Sequence, residues 1–187
     1  MTDAVLCRAS DAVLVLIDVQ ERLAAAMPDA ALGAMTAAAG NLLEGAGQLD
    51  VPVIATEQYP AGLGATLPAL RERLPANHRL LDKTCFSCRG AEGFDPALAA
   101  LQRRQVVLAG METHICVLQT ALQLQAGGYG VFVVEDAVCA RSADRTRNGL
   151  QRMRQAGVVI CHSESVLFEW LGDARHEKFK ALSALLK

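Results

Sequence analysis

The sequence predicts an α/β fold, a three-layer α/β/α sandwich built around a six-stranded, mainly parallel sheet. Three observations point there. Short Val/Leu/Ile-rich runs alternate with longer stretches of helical periodicity from end to end. The runs are nearly continuous instead of alternating, as expected of strands covered on both faces. Glycines stand where the helical stretches stop: Gly45 and Gly47, Gly127 and Gly128, and Gly157. Strand–helix alternation of this kind implies right-handed crossovers, which put helices on both sides of one sheet.

The elements follow in order. The first strand is Ala12–Ile17, six apolar residues that stop at Asp18, and a helix follows at about Ala31–Gln48. Val53–Thr56 is the second strand. The segment Glu57–Pro75, with Pro60, Gly62, Gly64, Pro68 and Pro75, reads as a long loop over the sheet edge with one helical turn. The third strand, Arg79–Asp82, precedes a helix at Pro96–Gln102, and the fourth, Val106–Ala109, precedes one at Thr113–Ala126. Val131–Val134 leads to a helix at Ala143–Gln155, and Val158–Cys161 to helices near Ser165–Leu171 and His176–Leu186.

Composition bounds the function. The 187 residues fit one domain over the whole chain, and 52% hydrophobic content with only 4% aromatic gives a core of Ala, Val, Leu and Ile. A disordered chain is excluded. Eighteen Lys and Arg against twenty Asp and Glu leave a net charge of −2, with no general attraction for nucleic acid or an anionic membrane. No apolar run approaches the roughly 20 residues that cross a bilayer. Met1-Thr2-Asp3 lacks the basic start of a secretory signal. Six scattered cysteines (7, 85, 88, 116, 139 and 161) in so apolar a chain read as reduced thiols, so a cytoplasmic location is expected.

In open α/β sheets ligands sit beyond the carboxyl ends of the strands. The residues there are Asp18, Glu57-Gln58, Lys83, Gly110–Cys116 and Glu135-Asp136. With Thr113 as N-cap, Cys116 falls at the third helical position. Free amides and the helix dipole would there pull its pKa from about 8.5 toward neutrality. A buried structural cysteine is the competing reading of Cys116. A helix cap competes for Asp18, and a solvated lysine for Lys83. A thiol, a carboxylate and an ammonium past three different strands are nevertheless placed to converge on one crevice. Cys85 and Cys88 form a C-x-x-C that no second pair completes as a zinc site, and the four histidines show no metal-binding spacing. His114 draws notice only by lying in the turn of Cys116. No phosphate-binding loop or G-x-S-x-G serine motif occurs. The arginines at 141, 145, 147, 152 and 154 read as a solvated or subunit-facing helix.

Leu16-Ile-Asp18-Val-Gln20, Lys83-Thr-Cys-Phe86-Ser and Gly110-Met-Glu-Thr-His-Ile-Cys116-Val resemble, in order, the motifs of the isochorismatase-like cysteine hydrolase superfamily. Thr56–Gly64 and Arg152–Gly157 resemble its isochorismatase domain-containing subgroup. The resemblance implies a Rossmann-like sheet and a Cys116–Asp18–Lys83 triad that hydrolyses a small amide or related C–N substrate through a thioester. It also implies a cis peptide at Met111–Glu112 whose Glu112 N–H joins the Cys116 N–H as an oxyanion hole. The pocket would hold Leu23, Gln58, Tyr59, Phe86 and Glu112, and the protein would be a homo-oligomer.

Departures from the superfamily pattern sharpen these expectations. Glu57-Gln58-Tyr59 stands where nicotinamidases carry metal-binding Asp and His, so neither a metal nor another cofactor is expected. Glu112 replaces the usual small residue, and its carboxylate would oppose a thiolate. Two alternatives remain: a weak or inactive interaction protein that retains the fold, and a vinyl-ether hydrolase of the isochorismatase type. Slow alkylation of Cys116 at neutral pH would mark the interaction protein. A redox sensor built on Cys85 and Cys88 is a lesser reading. The apolar C-terminal helix (Phe179, Leu182, Leu185 and Leu186) could serve a subunit interface, with packing on its own sheet as the default.

Overall fold

All six apolar runs become strands in the computed structural model, which describes residues 6–186. They are β1 (Ala12–Ile17), β2 (Val53–Gln58), β3 (Arg79–Lys83), β4 (Gln105–Met111), β5 (Gly130–Cys139) and β6 (Val159–Cys161). The sheet order is β3-β2-β1-β4-β5-β6 and each neighbouring pair is parallel. The helices are α1 (Glu21–Ala24), α2 (Asp29–Gln48), α3 (Pro60–Leu63), α4 (Pro68–Arg71), α5 (Phe94–Ala100), α6 (Leu118–Ala126), α7 (Ala143–Gln155), α8 (Ser163–Leu171) and α9 (Phe179–Ala184). The reading of Met1-Thr2-Asp3 lies outside the described residues.

Strand β1 shows why its sequence does not alternate, since every residue of it is buried. Ala12, Leu14 and Leu16 pack with Met35, Leu42 and Leu43 of α2 and Leu167 and Trp170 of α8. Val13, Val15 and Ile17 meet Phe94 and Leu98 of α5, Leu124 of α6 and Met153 of α7 on the other face. Each large side chain so covered contributes about 1.5–3 kcal/mol. Among the described residues no helix is long and apolar enough to cross a membrane.

Several local expectations are corrected. Gly45 and Gly47 do not stop a helix but lie inside α2. A Cβ on Gly45 would stand 2.3 Å from Leu167 Cδ2, so this glycine lets α8 approach. The segment after β2 is more ordered than one helical turn, forming α3 and α4. Buried Gln20 holds it in place, its Nε2 donating to the Gln58 and Gly64 carbonyls at 3.0 and 2.7 Å. Glu135 and Asp136 do not follow β5 but sit inside it, where its register with β4 shifts. Asp136 accepts the Ser163 N–H at 2.8 Å and so anchors the start of α8. Leu182 of α9 is fully buried and Leu186, just beyond that helix, packs on the core, which is the default packing.

Candidate active site

The sheet order reverses direction between β1 and β4, and the crevice at that point is where an open α/β sheet takes its ligand. Gly110 lets the two strand ends close up. It pairs with Ile17 at φ +119, and a Cβ there would lie 2.1 Å from the Ile17 carbonyl oxygen. Asp18, with φ 52, leaves β1 on one side of the crevice. On the other, β4 runs into a cis Met111–Glu112 peptide and a wide π-helical turn, Thr113–Val117, that carries Cys116 into α6.

Thr113 is therefore not the N-cap. Glu112 takes that place in extended conformation, and its carbonyl accepts the N–H groups of both Ile115 and Val117, at 3.0 and 3.3 Å. The second bond spans five residues and widens the turn, so Cys116 is its fourth residue. Thr113 Oγ1 is buried with no partner among the described residues.

Lys83 reaches the crevice from the end of β3, two strands away. Its Nζ donates to Asp18 Oδ2 at 2.6 Å, to Gln58 Oε1 at 2.6 Å and to the Cys85 and Phe86 carbonyls at 3.1 and 3.0 Å. It also stands 3.7 Å from Cys116 Sγ. The Lys83 and Asp18 side chains are both 0% exposed. Thr56 Oγ1 donates to the other Asp18 oxygen at 2.8 Å. Carboxylate, ammonium and thiol thus share one contact network. Neither the helix-cap reading of Asp18 nor the solvated-lysine reading of Lys83 holds.

Electrostatics corrects one expectation firmly. Cys116 is not drawn toward neutrality but pushed up to about 12, first by burial and next by the Asp18 charge, with Lys83 pulling the other way. Loss of water outweighs the cation beside it. Burial likewise lifts Asp18 above its ordinary range, with Lys83 and the Thr56 hydroxyl opposing. Burial alone would lower Lys83, yet Asp18 beside it carries the ammonium upward. The resting site therefore holds a protonated thiol and a buried ion pair. Glu112, expected to act on the thiol, is instead engaged by Arg141, whose backbone N–H and Nε donate to Glu112 Oε2 at 3.2 and 3.0 Å.

A small hollow of about 130 Å³ opens above the sulfur, lined by Leu23, Gln58, Leu63, Phe86, Glu112, Ile115 and Cys116. Tyr59 is not among them and lines a neighbouring hollow with Lys83, Asp82 and Glu92. Its φ of 37 starts α3 and turns the ring outward, where it is largely exposed. Glu57 also turns away, its Oε1 accepting the Thr66 N–H and hydroxyl at 2.6 and 2.7 Å.

Cys85 and Cys88 border this network without supplying a charged group to it. The Cys85 and Cys88 thiols are free; Cys85 Sγ donates to the Ser87 carbonyl at 3.3 Å, and Cys88 lies buried 3.7 Å from Thr56 Oγ1. Burial lowers the His114 pKa, and its Nδ1 has no partner among the described residues. No group of three His, Cys, Asp or Glu suited to a metal ion occurs among the described residues.

Sequence reasoning missed Thr56, hidden as the last residue of an expected strand. It also missed the bracing role of Gln20 and the pairing of Arg141. The quoted Asp18-Val-Gln20 string was the only available signal for Gln20.

Comparison with known proteins gives a consistent picture. The family model of the isochorismatase domain matches residues 12–165. Isochorismatase domain-containing protein 2 of Xenopus laevis is 38% identical over 177 residues, covering 93% of this chain and 82% of its own. A structure described as MAR1 ribonuclease from Caenorhabditis elegans has a TM-score of 0.91 and 34% identity, covering 97% of this chain and 92% of its own. YcaC of Escherichia coli, described as an octameric hydrolase of unknown specificity, has a TM-score of 0.89 and 26% identity over 100% of this chain and 91% of its own.

Proposed function

The chain belongs to the isochorismatase domain family, and we propose that it is a cysteine hydrolase of a small amide or related C–N bond. Cys116 Sγ attacks the carbonyl carbon while its proton passes to Asp18. The C–N bond then breaks, and the leaving nitrogen takes that proton back from Asp18. Water attacks the resulting thioester and Asp18 accepts its proton; the C–S bond breaks to release the acid, and Asp18 returns the proton to the departing sulfur, restoring the thiol. Lys83 holds Asp18 in place and faces the sulfur, where it offsets the negative charge that develops during attack. The N–H groups of Glu112 and Cys116 serve the tetrahedral oxyanion. No metal or cofactor takes part in this scheme.

One observation carries the reading: Lys83 Nζ spans 2.6 Å to Asp18 and 3.7 Å to Cys116, which lines the hollow. A thiol at about 12 requires that its proton leave as attack proceeds, and the buried carboxylate whose pKa is raised is the acceptor at hand. The experiment is turnover of a panel of small amides by the wild type and Cys116→Ala. Loss of turnover in the variant supports the mechanism, and unchanged turnover rejects it.

The raised thiol also favours a second reading, an interaction protein that retains the fold. Slow alkylation at neutral pH no longer separates the two, because a protonated thiol is expected in both. Turnover does. A vinyl-ether hydrolase acting on a dicarboxylate, or an RNA-cleaving role as the nematode neighbour's name describes, suits the hollow less well, since its lining has no Lys or Arg. We further propose a homo-oligomeric state on the example of the octameric YcaC, with light scattering as the check.

A further inference from the structure

Glu112 is 6% exposed, and its carboxylate is used on one side only. Both bonds from Arg141 go to Oε2. Oε1 accepts no hydrogen bond among the described residues, and yet it is not one of the fully enclosed polar atoms without a partner. Glu112 is one of the residues that line the hollow over Cys116. Leu23, Leu63, Phe86 and Ile115 supply most of the remaining lining. A nearly buried carboxylate oxygen in apolar surroundings is costly until a donor reaches it.

Arg141 cancels the charge of Glu112, and Lys83 cancels that of Asp18. A Glu112 oxygen facing the hollow would therefore be a strong acceptor without a net charge. That combination suits a neutral N–H group over an ammonium, and it sets the second oxygen of a carboxylate against a facing oxygen.

We propose that Glu112 Oε1 is the specificity-determining acceptor of the site and receives an N–H of a neutral, amide-type substrate while excluding carboxylates. This rests on the reading of Cys116 as the nucleophile and names the substrate class that the same site selects. Gln58 is the poorer acceptor, because its Oε1 is a neutral amide oxygen already taking a bond from Lys83 at 2.6 Å.

The test needs no known substrate. Iodoacetamide, iodoacetone and iodoacetate are near-isosteric and differ in carrying NH2, CH3 or O⁻. Their rates of Cys116 alkylation at pH 8.5, read by peptide mass spectrometry, are each divided by the rate with free glutathione. Iodoacetamide is expected to exceed iodoacetone by about ten-fold, with iodoacetate slowest. In Glu112→Gln the amide oxygen can keep Arg141 while its NH2 faces the hollow. The amide preference then collapses and iodoacetate gains. A merely structural role for Glu112 would slow all three reagents together and leave their ratios unchanged.

The wild-type ratios carry the test even should Glu112→Gln fold poorly. Normalised rates within two-fold of one another in the wild type, or ratios unchanged in Glu112→Gln, overturn the inference and leave the Cys116 reading standing. Failure of all three reagents to alkylate Cys116 likewise overturns the inference, whereas the Cys116 reading itself falls only with unchanged amide turnover in Cys116→Ala.

Discussion

Lys83→Met removes the cation from a pair that water does not reach. At 2.6 Å, and with an effective dielectric of about 20, the attraction between Nζ and the Asp18 carboxylate is about 6 kcal/mol. Regained solvation of the absent ammonium offsets part of this. Asp18 would then remain buried with the Thr56 hydroxyl as its surviving donor, and Gln58, Cys85 and Phe86 would each lose a bond. Breaking such a pair from one side costs about 3–5 kcal/mol. Urea unfolding at pH 7 should show a loss of that size. The double variant Asp18→Asn/Lys83→Met should lose less than the sum of the singles, with a coupling above about 1 kcal/mol. A Lys83→Met loss below about 1 kcal/mol, or strict additivity in the double variant, would refute the buried-pair reasoning.

Other consequences follow from the same network. Burial pushes Cys7, Cys88, Cys116, Cys139 and Cys161 up from 9.0 to about 12, 11, 12, 11 and 12. The folded state thus holds protons that the unfolded chain releases, so stability is full below pH 9 and declines as pH climbs toward 12. Urea midpoints under reducing conditions should fall between pH 8.5 and 10.5, and a flat profile would contradict this. Asp18 must be ionised to accept the thiol proton, and burial raises its pKa. The acidic limb of kcat/KM should consequently lie above pH 3.8, the ordinary aspartate value, and a limb at or below that value would count against Asp18 as the base. Thr56→Val strips a buried donor from Asp18 and should cost about 1–3 kcal/mol while moving that limb upward. Thr56→Ser should restore both, and a Val variant indistinguishable from wild type would remove Thr56 from the network.

Much of this was legible in the chain, for definite reasons. Strands buried on both faces leave uninterrupted Val/Leu/Ile runs, so β1 was bounded to the residue and β2, β3, β4 and β6 to within two, while β5 runs five residues past its expected end, through Glu135 and Asp136. The polar residues just past those runs included Asp18, Lys83 and Cys116, because a parallel sheet directs its strand ends to one side. Strand order was not read from the chain: four of the five neighbouring pairs are consecutive strands, and the β1–β4 pair alone skips over two, with no local signal to mark it. Thr56 looked like strand filler, because a single hydroxyl does not interrupt an apolar run. Gly45 and Gly47 were misread as helix stops because close packing and chain termination use the same residue. The Cys116 pKa was misjudged by weighing dipole and cation without burial, which only the folded structure reveals. Glu112 seemed a defect until Arg141, 29 residues further along, was placed beside it.

The most direct measurement is a crystal soaked with a small aliphatic aldehyde. The account predicts a thiohemiacetal on Cys116 Sγ, its oxygen within hydrogen-bonding reach of the Glu112 and Cys116 backbone N–H groups and its alkyl arm against Leu23 and Ile115. An aldehyde carbon attached to any other thiol, or lodged outside this hollow with Cys116 unmodified, would contradict it.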